Sequence, residues 1–200
     1  NNSTEKLSTV NDLFEHLKKR QGILKGIVIS GGEPLLNPFT PVIIQKAKEY
    51  GYLVKIDTNG TLPQELEKLI NDKMLKPDFI AVDIKTTPQK YAEILCNKKS
   101  EHYGNKDYFQ TLLLKTKSVL NDFPDEQKEY RTVLVPGLVN LEDIEEISNY
   151  VPENTSWQFA QFQNKNCLDP TYNDIMPYLE DEIEKIIKEA KKYHTNSHLR

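Results

Sequence analysis

The sequence has 200 residues, of which 38% are hydrophobic and 28% are charged, and its formal net charge is −4. This length is enough for one sizeable core, so we expect a single domain over 1–200. A mildly acidic chain without a long apolar run is attracted to neither nucleic acid nor membrane, so we expect neither as a partner and a cytoplasmic location. Its two cysteines, Cys96 and Cys167, are far apart and predict neither a disulfide framework nor a local metal cluster.

Apolar, strand-like runs alternate with amphipathic stretches along the chain, which is the pattern of an α/β protein. Thr9 and Asp12 have the spacing of a capping box ahead of the first helix, and Pro63 is suited to the first turn of another. His194 and His198 fall in a polar tail, where we expect them at the surface. We predict helices over 10–20, 41–50, 63–71, 108–120, 140–150 and 173–193, strands over 26–30, 52–56, 79–84, 130–135 and 156–162, and a long loop over 97–106.

Five strands, each followed by a helix or an extended return, predict parallel strands in an open sheet or in part of a barrel. In both folds, ligands bind at the carboxyl ends of the strands. Polar residues and glycines collect at those ends, although helix capping would also account for Asp57 and Thr61. The segments concerned are 31–34, 57–61, 83–85, 136–137 and 161–163.

The first of these segments is the most informative, because Gly31, Gly32 and Glu33 directly follow an apolar strand. Glycines let the backbone approach a ligand closely, and a carboxylate at a strand end can accept charge-assisted hydrogen bonds from an ammonium group. The segment therefore predicts a site for a small cationic ligand.

Four motifs, in this order, resemble the radical S-adenosylmethionine superfamily. They are Ile-Ser-Gly-Gly-Glu-Pro at 29–34, Ile-Asp-Thr-Asn-Gly at 56–60, Val-Asp-Ile-Lys at 82–85 and Val-Pro-Gly at 135–137. Within the superfamily, the chain is similar to the enzymes that activate glycyl-radical proteins, of the anaerobic ribonucleoside-triphosphate reductase or pyruvate formate-lyase type. Gly-Leu-Val at 137–139 and Leu-Asp-Pro-Thr-Tyr at 168–172 favour the first type. Deazaguanine synthases also carry Gly-Gly-Glu-Pro, but the motifs at 57–58 and 135–137 favour the activases.

The resemblance implies a partial (β/α)6 TIM-like barrel, here with its first strand missing, so that about five parallel strands are flanked by helices. It also implies a 4Fe-4S cluster and S-adenosylmethionine, whose reductive cleavage yields a radical that takes a hydrogen atom from a glycine of the partner. The implied partners are a glycyl-radical enzyme of anaerobic metabolism and an electron donor of the flavodoxin or ferredoxin type.

The resemblance also assigns roles to individual residues. Gly31, Gly32 and Glu33 would hold the amino group of the cofactor, and Asp57, Thr58 and Asp83 would hold a monovalent cation, K+ or Na+, beside its carboxylate. Gln163 stands where the pyruvate formate-lyase type has a histidine. The full set of implied cofactor contacts is Gly31, Gly32, Glu33, Pro34, Asp57, Asn59, Asp83, Ile84, Lys85, Val135, Gln161 and Gln163.

One family feature is missing from these 200 residues: the Cys-x3-Cys-x2-Cys loop that binds the cluster. Because two distant cysteines cannot replace it, we expect an N-terminally truncated fragment with no catalytic residue, itself inactive and with an exposed sheet edge. A natural homologue without a cluster, serving as a non-catalytic scaffold, is an alternative. Another is a cluster-free barrel lyase or decarboxylase that uses Lys85.

Overall fold

A computed structural model of the chain describes residues 9–200. It contains one sheet of six parallel strands, whose spatial order follows the chain from first to last. The strands are β1 (Gly26–Ile29), β2 (Leu53–Thr58), β3 (Phe79–Asp83), β4 (Lys128–Leu134), β5 (Ser156–Gln161) and β6 (Ser197–Leu199). A sequential order is typical of a barrel, whereas an open doubly wound sheet reverses its order at a switch point. Since β1 and β6 both lie at sheet edges, the barrel is partial.

Helices flank the sheet and connect its strands. Within the described residues they are α1 (Val10–Lys19), α2 (Thr40–Glu49), α3 (Pro63–Asn71), α4 (Pro88–Lys90), α5 (Lys106–Val119), α6 (Ile144–Ser148) and α7 (Glu180–Tyr193). The predicted capping box of Thr9 and Asp12 is present at the start of α1, and α3 has its predicted bounds. None of the helices over residues 9–200 has the length and apolar character needed to cross a membrane.

The sixth strand lies in the tail that the sequence predicted to be polar surface. β6 is only three residues long and pairs in register with β5, a length too short to show an alternating pattern. Its pairing brings His194 into the interior, where 5% of the residue is exposed and Nε2 lies 3.1 Å from the Ser148 carbonyl oxygen. The surface prediction is therefore wrong for His194 and correct for His198.

One helix prediction was wrong in its bounds, and one helical segment was not predicted. The helix predicted over 173–193 begins only at Glu180, because Pro177 disfavours the helical conformation in the residue before it. Conversely, α4 continues into a π-helical turn, Tyr91–Leu95, that was not predicted. The segment is short, and its burial is concentrated on Tyr91 and Ala92, so it shows no helical periodicity.

The hydrophobic core is divided into two clusters. The smaller cluster packs α1 and α2 against the first two strands, and its buried members are Leu17, Ile44, Ala47, Tyr52, Val54, Ile56 and Leu69. The larger cluster lies against β3, β4 and β5 and includes the fully buried Trp157. Leu35 contacts both clusters, and the boundary between them passes between β2 and β3.

The edge formed by β1 is open. β1 pairs only with β2 in the described part of the chain, and Val28 in its centre is 59% exposed. An unpaired apolar strand edge is a template for pairing with another strand. Among residues 9–200, the exposed edge expected from the sequence is present.

Candidate functional site

The carboxylate of Glu33 joins the loop after β1 to the end of β2. Its Oε2 accepts a hydrogen bond from the Asn59 backbone N–H at 2.7 Å, and the Thr58 hydroxyl lies 3.0 and 3.1 Å from its two oxygens. Oε1 also accepts from the Leu35 N–H at 3.0 Å, which caps the short helical turn Pro34–Leu36. A carboxylate has about four lone-pair sites. These contacts occupy most of them, so Glu33 fixes the relative positions of the two loops.

Gly31 and Gly32 present bare backbone next to this carboxylate. Gly31 has φ 138°, a conformation that side chains disfavour, and a Cβ at either glycine would meet nothing within 4 Å. Within residues 9–200, no backbone N–H donates to either carbonyl oxygen. Because backbone carbonyls are strong acceptors, these two oxygens are better placed to receive an ammonium group than the occupied Glu33 side chain.

Arg131 joins the ends of β2 and β3. It lies in register with Asp83, and its Nε donates to Asp83 Oδ1 at 2.7 Å. Nη1 and Nη2 each lie 3.2 Å from Asp57 Oδ2, so one guanidinium bridges two carboxylates. Burial acts to lower the pKa of Arg131, but the hydrogen bond and charge of Asp83 and the charge of Asp57 outweigh it and raise that pKa. The side chain is 16% exposed and permanently charged.

Further charged side chains surround this bridge. Lys55 Nζ donates to Glu129 Oε1 at 2.7 Å and lies 4.0 Å from Asp57 Oδ1, an oxygen that is buried without a hydrogen-bond partner among the described residues. Lys85 Nζ lies 3.6 Å from Asp83 Oδ2. We refer to six residues together as the charged cluster: Lys55, Asp57, Asp83, Lys85, Glu129 and Arg131. The sequence prediction missed three of these residues, Lys55, Glu129 and Arg131.

A signal for two of those three, Lys55 and Arg131, was available in the sequence. Strands of a parallel sheet that are covered on both faces are usually continuous apolar runs. Lys55 lies between two apolar residues, and Glu129 and Arg131 alternate with the buried Tyr130, so these charges share the other face of the sheet. Charged residues inside the predicted strands 52–56 and 130–135, Lys55 and Arg131, therefore indicated a polar face toward the site, whereas Glu129 lies just before the predicted strand and is part of the observed β4.

Tyr91 holds the turn from Asp83 to Lys85. Its hydroxyl accepts a hydrogen bond from the Lys85 backbone N–H at 2.8 Å and lies 3.4 Å from the Asp83 carbonyl oxygen. Burial raises the pKa of Tyr91, so the hydroxyl stays protonated over the physiological range. Tyr91 is thus a positioning residue for two predicted site residues, and no sequence motif indicated this role.

Two clefts flank Arg131 and share Asp83 in their lining. One, of about 220 Å³, is lined in part by Lys85 and Val135. The other, of about 460 Å³, is lined in part by Gln161 and Gln163. The predicted cofactor residues at the ends of β3, β4 and β5 therefore lie around one centre.

Two other predicted site residues are buried. Ile84 also lines the smaller of these clefts, whereas the Pro34 carbonyl oxygen accepts a hydrogen bond from the Thr40 hydroxyl at 2.6 Å. Their contact with a cofactor stays a prediction. A separate apolar cleft of about 560 Å³ lies between residues 35–41 and α3 and contains none of the predicted cofactor residues.

The comparison with protein families settles the class of this chain. Residues 3–151 match the family model of the radical SAM superfamily. The chain belongs to that superfamily. This radical SAM chain is 37% identical over 172 residues to a protein of Methanocaldococcus jannaschii that carries the provisional name of glycyl-radical enzyme activating enzyme, and the match covers 85% of this chain and 68% of that protein. The resemblance seen in the sequence motifs is confirmed.

Two further matches are to a curated relative and to a solved structure. It is 31% identical over 130 residues to the 7-carboxy-7-deazaguanine synthase of Aquifex aeolicus, a match that covers 64% of this chain and 54% of that protein. The solved structure of SuiB from Streptococcus suis bound to S-adenosylmethionine superposes with a TM-score of 0.59 at 17% identity, over 96% of this chain and 43% of that one. At such an identity the likeness shows the fold, a partial radical SAM barrel.

Proposed function

We propose that this chain binds S-adenosylmethionine at the carboxyl ends of its strands, in a protein that activates a glycyl-radical enzyme. The observation that carries the proposal is the convergence of the motif after β1 with Asp57 and Asp83 through the contacts of Glu33 and Arg131. The activase branch is supported by the 37% identical relative. The type of partner, an anaerobic ribonucleotide reductase or a pyruvate formate-lyase, stays a prediction.

The residues of the site suit the groups of this cofactor. The free carbonyl oxygens of Gly31 and Gly32 would accept from its amino group, while Lys85 and the unused N–H groups of Arg131 would donate to its carboxylate. Val135 and the amides of Gln161 and Gln163 line the flanking clefts, where the adenosyl part would lie. Tyr91 would keep Lys85 in place while the cofactor binds.

A 4Fe-4S cluster, when bound, supplies the electron for cleavage of S-adenosylmethionine. Such clusters are held by cysteine thiolates. Cys96 and Cys167 do not fit this role, since they are one short of the three cysteines in the family's loop and residues 9–200 contain no group of three or more His, Cys, Asp or Glu that could hold a metal ion. The cluster ligands therefore belong, in this proposal, to a part of the protein outside these 200 residues, and the chain alone is inactive.

The lyase alternative has no support in the structure. A Schiff-base lysine needs a neutral amine, which burial favours. The Lys85 side chain is instead 47% exposed and paired with Asp83 at 3.6 Å.

The test uses the whole protein, reconstituted with iron and sulfide under anaerobic conditions, beside the 200-residue chain. We expect iron, sulfide and S-adenosylmethionine cleavage in the whole protein only, and a glycyl radical by electron paramagnetic resonance after it is mixed with a glycyl-radical enzyme. The matched control, Cys96→Ser with Cys167→Ser, keeps the iron content. Cofactor cleavage without a glycyl radical in either partner type would refute the activase assignment.

A further inference from the structure

Arg131 occupies the position between two carboxylates that the family resemblance assigns to an alkali cation. Asp57 and Asp83 come from neighbouring strands, and their facing oxygens lie 3.2 and 2.7 Å from nitrogens of the one guanidinium. Glu129 Oε1 lies 3.9 Å from Nη1, so Arg131 contacts every carboxylate of the charged cluster. A K+ or Na+ ion between these two carboxylates would have to displace it.

The charge of the cluster is already balanced by the chain. Its three carboxylates, those of Asp57, Asp83 and Glu129, face the three cations Lys55, Lys85 and Arg131. Two carboxylates close together repel unless a positive charge lies between them, and a planar guanidinium supplies both that charge and directed donors. An additional alkali ion would leave the cluster with a positive excess.

We propose that Arg131 is the resident cation of this site, taking the place of an alkali ion, and that its remaining N–H groups receive the carboxylate of an amino-acid ligand. Two of its five N–H groups are used by Asp83 and Asp57 in well-formed hydrogen bonds. The ligand part of this inference rests on the proposed function, whereas the cation part rests only on the cluster. The protein is then indifferent to the identity of the monovalent cation.

The test measures thermal unfolding of the 200-residue chain in choline, sodium and potassium chloride at equal ionic strength. We expect one unfolding midpoint for the unmodified chain in all three salts. Arg131→Ala removes the one cation that bridges Asp57 and Asp83 and leaves each with only a lysine at 4.0 and 3.6 Å, so we expect its midpoint in choline chloride to fall by about 5 to 10 °C. Sodium, potassium or millimolar methylguanidinium should restore part of that loss, because each can enter the vacated position. Arg20→Ala, at an exposed helix end, is the matched control and should show neither effect.

Selective stabilisation of the unmodified chain by sodium or potassium would overturn the proposal, since an inorganic ion would then bind beside Arg131, for example at the unpartnered Asp57 Oδ1. An Arg131→Ala variant that ignores every added cation would overturn it as well. If that variant fails to fold, Arg131→Ala combined with Asp57→Asn should recover folding, because the second change removes one of the two carboxylates that would otherwise face each other without the guanidinium between them. Continued failure of the double variant would contradict the role.

The ligand part is tested by equilibrium dialysis of S-adenosylmethionine against the whole protein. Arg131→Ala should weaken binding at least tenfold and make it dependent on sodium or potassium. Arg131→Ala binding as tightly as the unmodified protein would refute the ligand role alone. An unmodified protein that binds no S-adenosylmethionine but unfolds as predicted above would refute the proposed function and leave Arg131 as the resident cation.

Discussion

Replacing Glu33 by Gln tests whether its carboxylate is a structural clamp or only a ligand group. The change keeps the shape of the side chain and replaces one oxygen by an NH2 donor. That donor would face the Asn59 N–H, now 2.7 Å from Oε2, or the Leu35 N–H, now 3.0 Å from Oε1. A hydrogen bond to a charged group contributes about 1.5 to 3 kcal/mol, and an unsatisfied buried donor costs about 1 to 3 kcal/mol. Because the site is only partly buried, we expect a loss of about 2 kcal/mol in unfolding free energy.

Urea unfolding of the 200-residue chain measures this loss, and the single tryptophan, Trp157, is a buried fluorescence probe of it. Glu184→Gln, on the exposed face of α7, removes the same charge without a clamp and should change stability by less than about 0.5 kcal/mol. Thr58→Val removes one of the donors to the Glu33 carboxylate, so it should lower the unfolding free energy by part of the loss expected for Glu33→Gln. Equal stabilities of the Glu33 and Glu184 variants would refute the clamp. Weakened cofactor binding at unchanged stability would instead assign Glu33 to the ligand.

Three other predictions follow from the same structure. Tyr91→Phe removes the acceptor of the Lys85 N–H and should lower the unfolding free energy by about 1 to 2 kcal/mol, measured with urea; no change would contradict the positioning role. Gly60→Ala places a Cβ 3.0 Å from a Val82 side-chain carbon at a φ of +73°, so it should lower the unfolding free energy by about 2 to 4 kcal/mol. Gly104→Ala, at a similar φ but with no atom within 4 Å of the new Cβ, should lower it by less, and equal losses would exclude crowding as the cause. Val28→Lys charges the open edge of β1 and should reduce self-association in sedimentation velocity, and an unchanged distribution would argue against pairing there.

Much of the fold follows from local sequence signals. The proline at the start of α3 and the capping box of α1 placed those helices almost to the residue, because backbone geometry at a helix end depends on a few adjacent residues. β6 could not be predicted in this way, since three residues stabilised by a neighbouring strand have no pattern of their own. The burial of His194 depends on the same pairing.

In the candidate site, too, features set by adjacent residues were predictable, and contacts between distant residues were not. The glycines and carboxylates at the strand ends were predicted, because parallel strands bring their carboxyl ends to one edge of a sheet. The bond between Asp57 and Arg131 joins residues 74 positions apart, and no local pattern indicates which charge meets which. The role of Tyr91 depends in the same way on how a short helical turn packs under β3.

The boundary between the two hydrophobic clusters passes through the candidate site. Gly31, Glu33 and Asp57 lie on or directly after β1 and β2, whose apolar residues belong to the smaller cluster, and Asp83 and Arg131 lie on β3 and β4, whose apolar residues belong to the larger one. Separately packed units of a protein can open at different free energies, and a ligand that binds only the closed form reduces the opening in proportion to its concentration. A cofactor that contacts both Gly31 and Asp83 would stabilise the form in which the two units are packed together. Hydrogen exchange at β2 would then report the concentration of S-adenosylmethionine in solution.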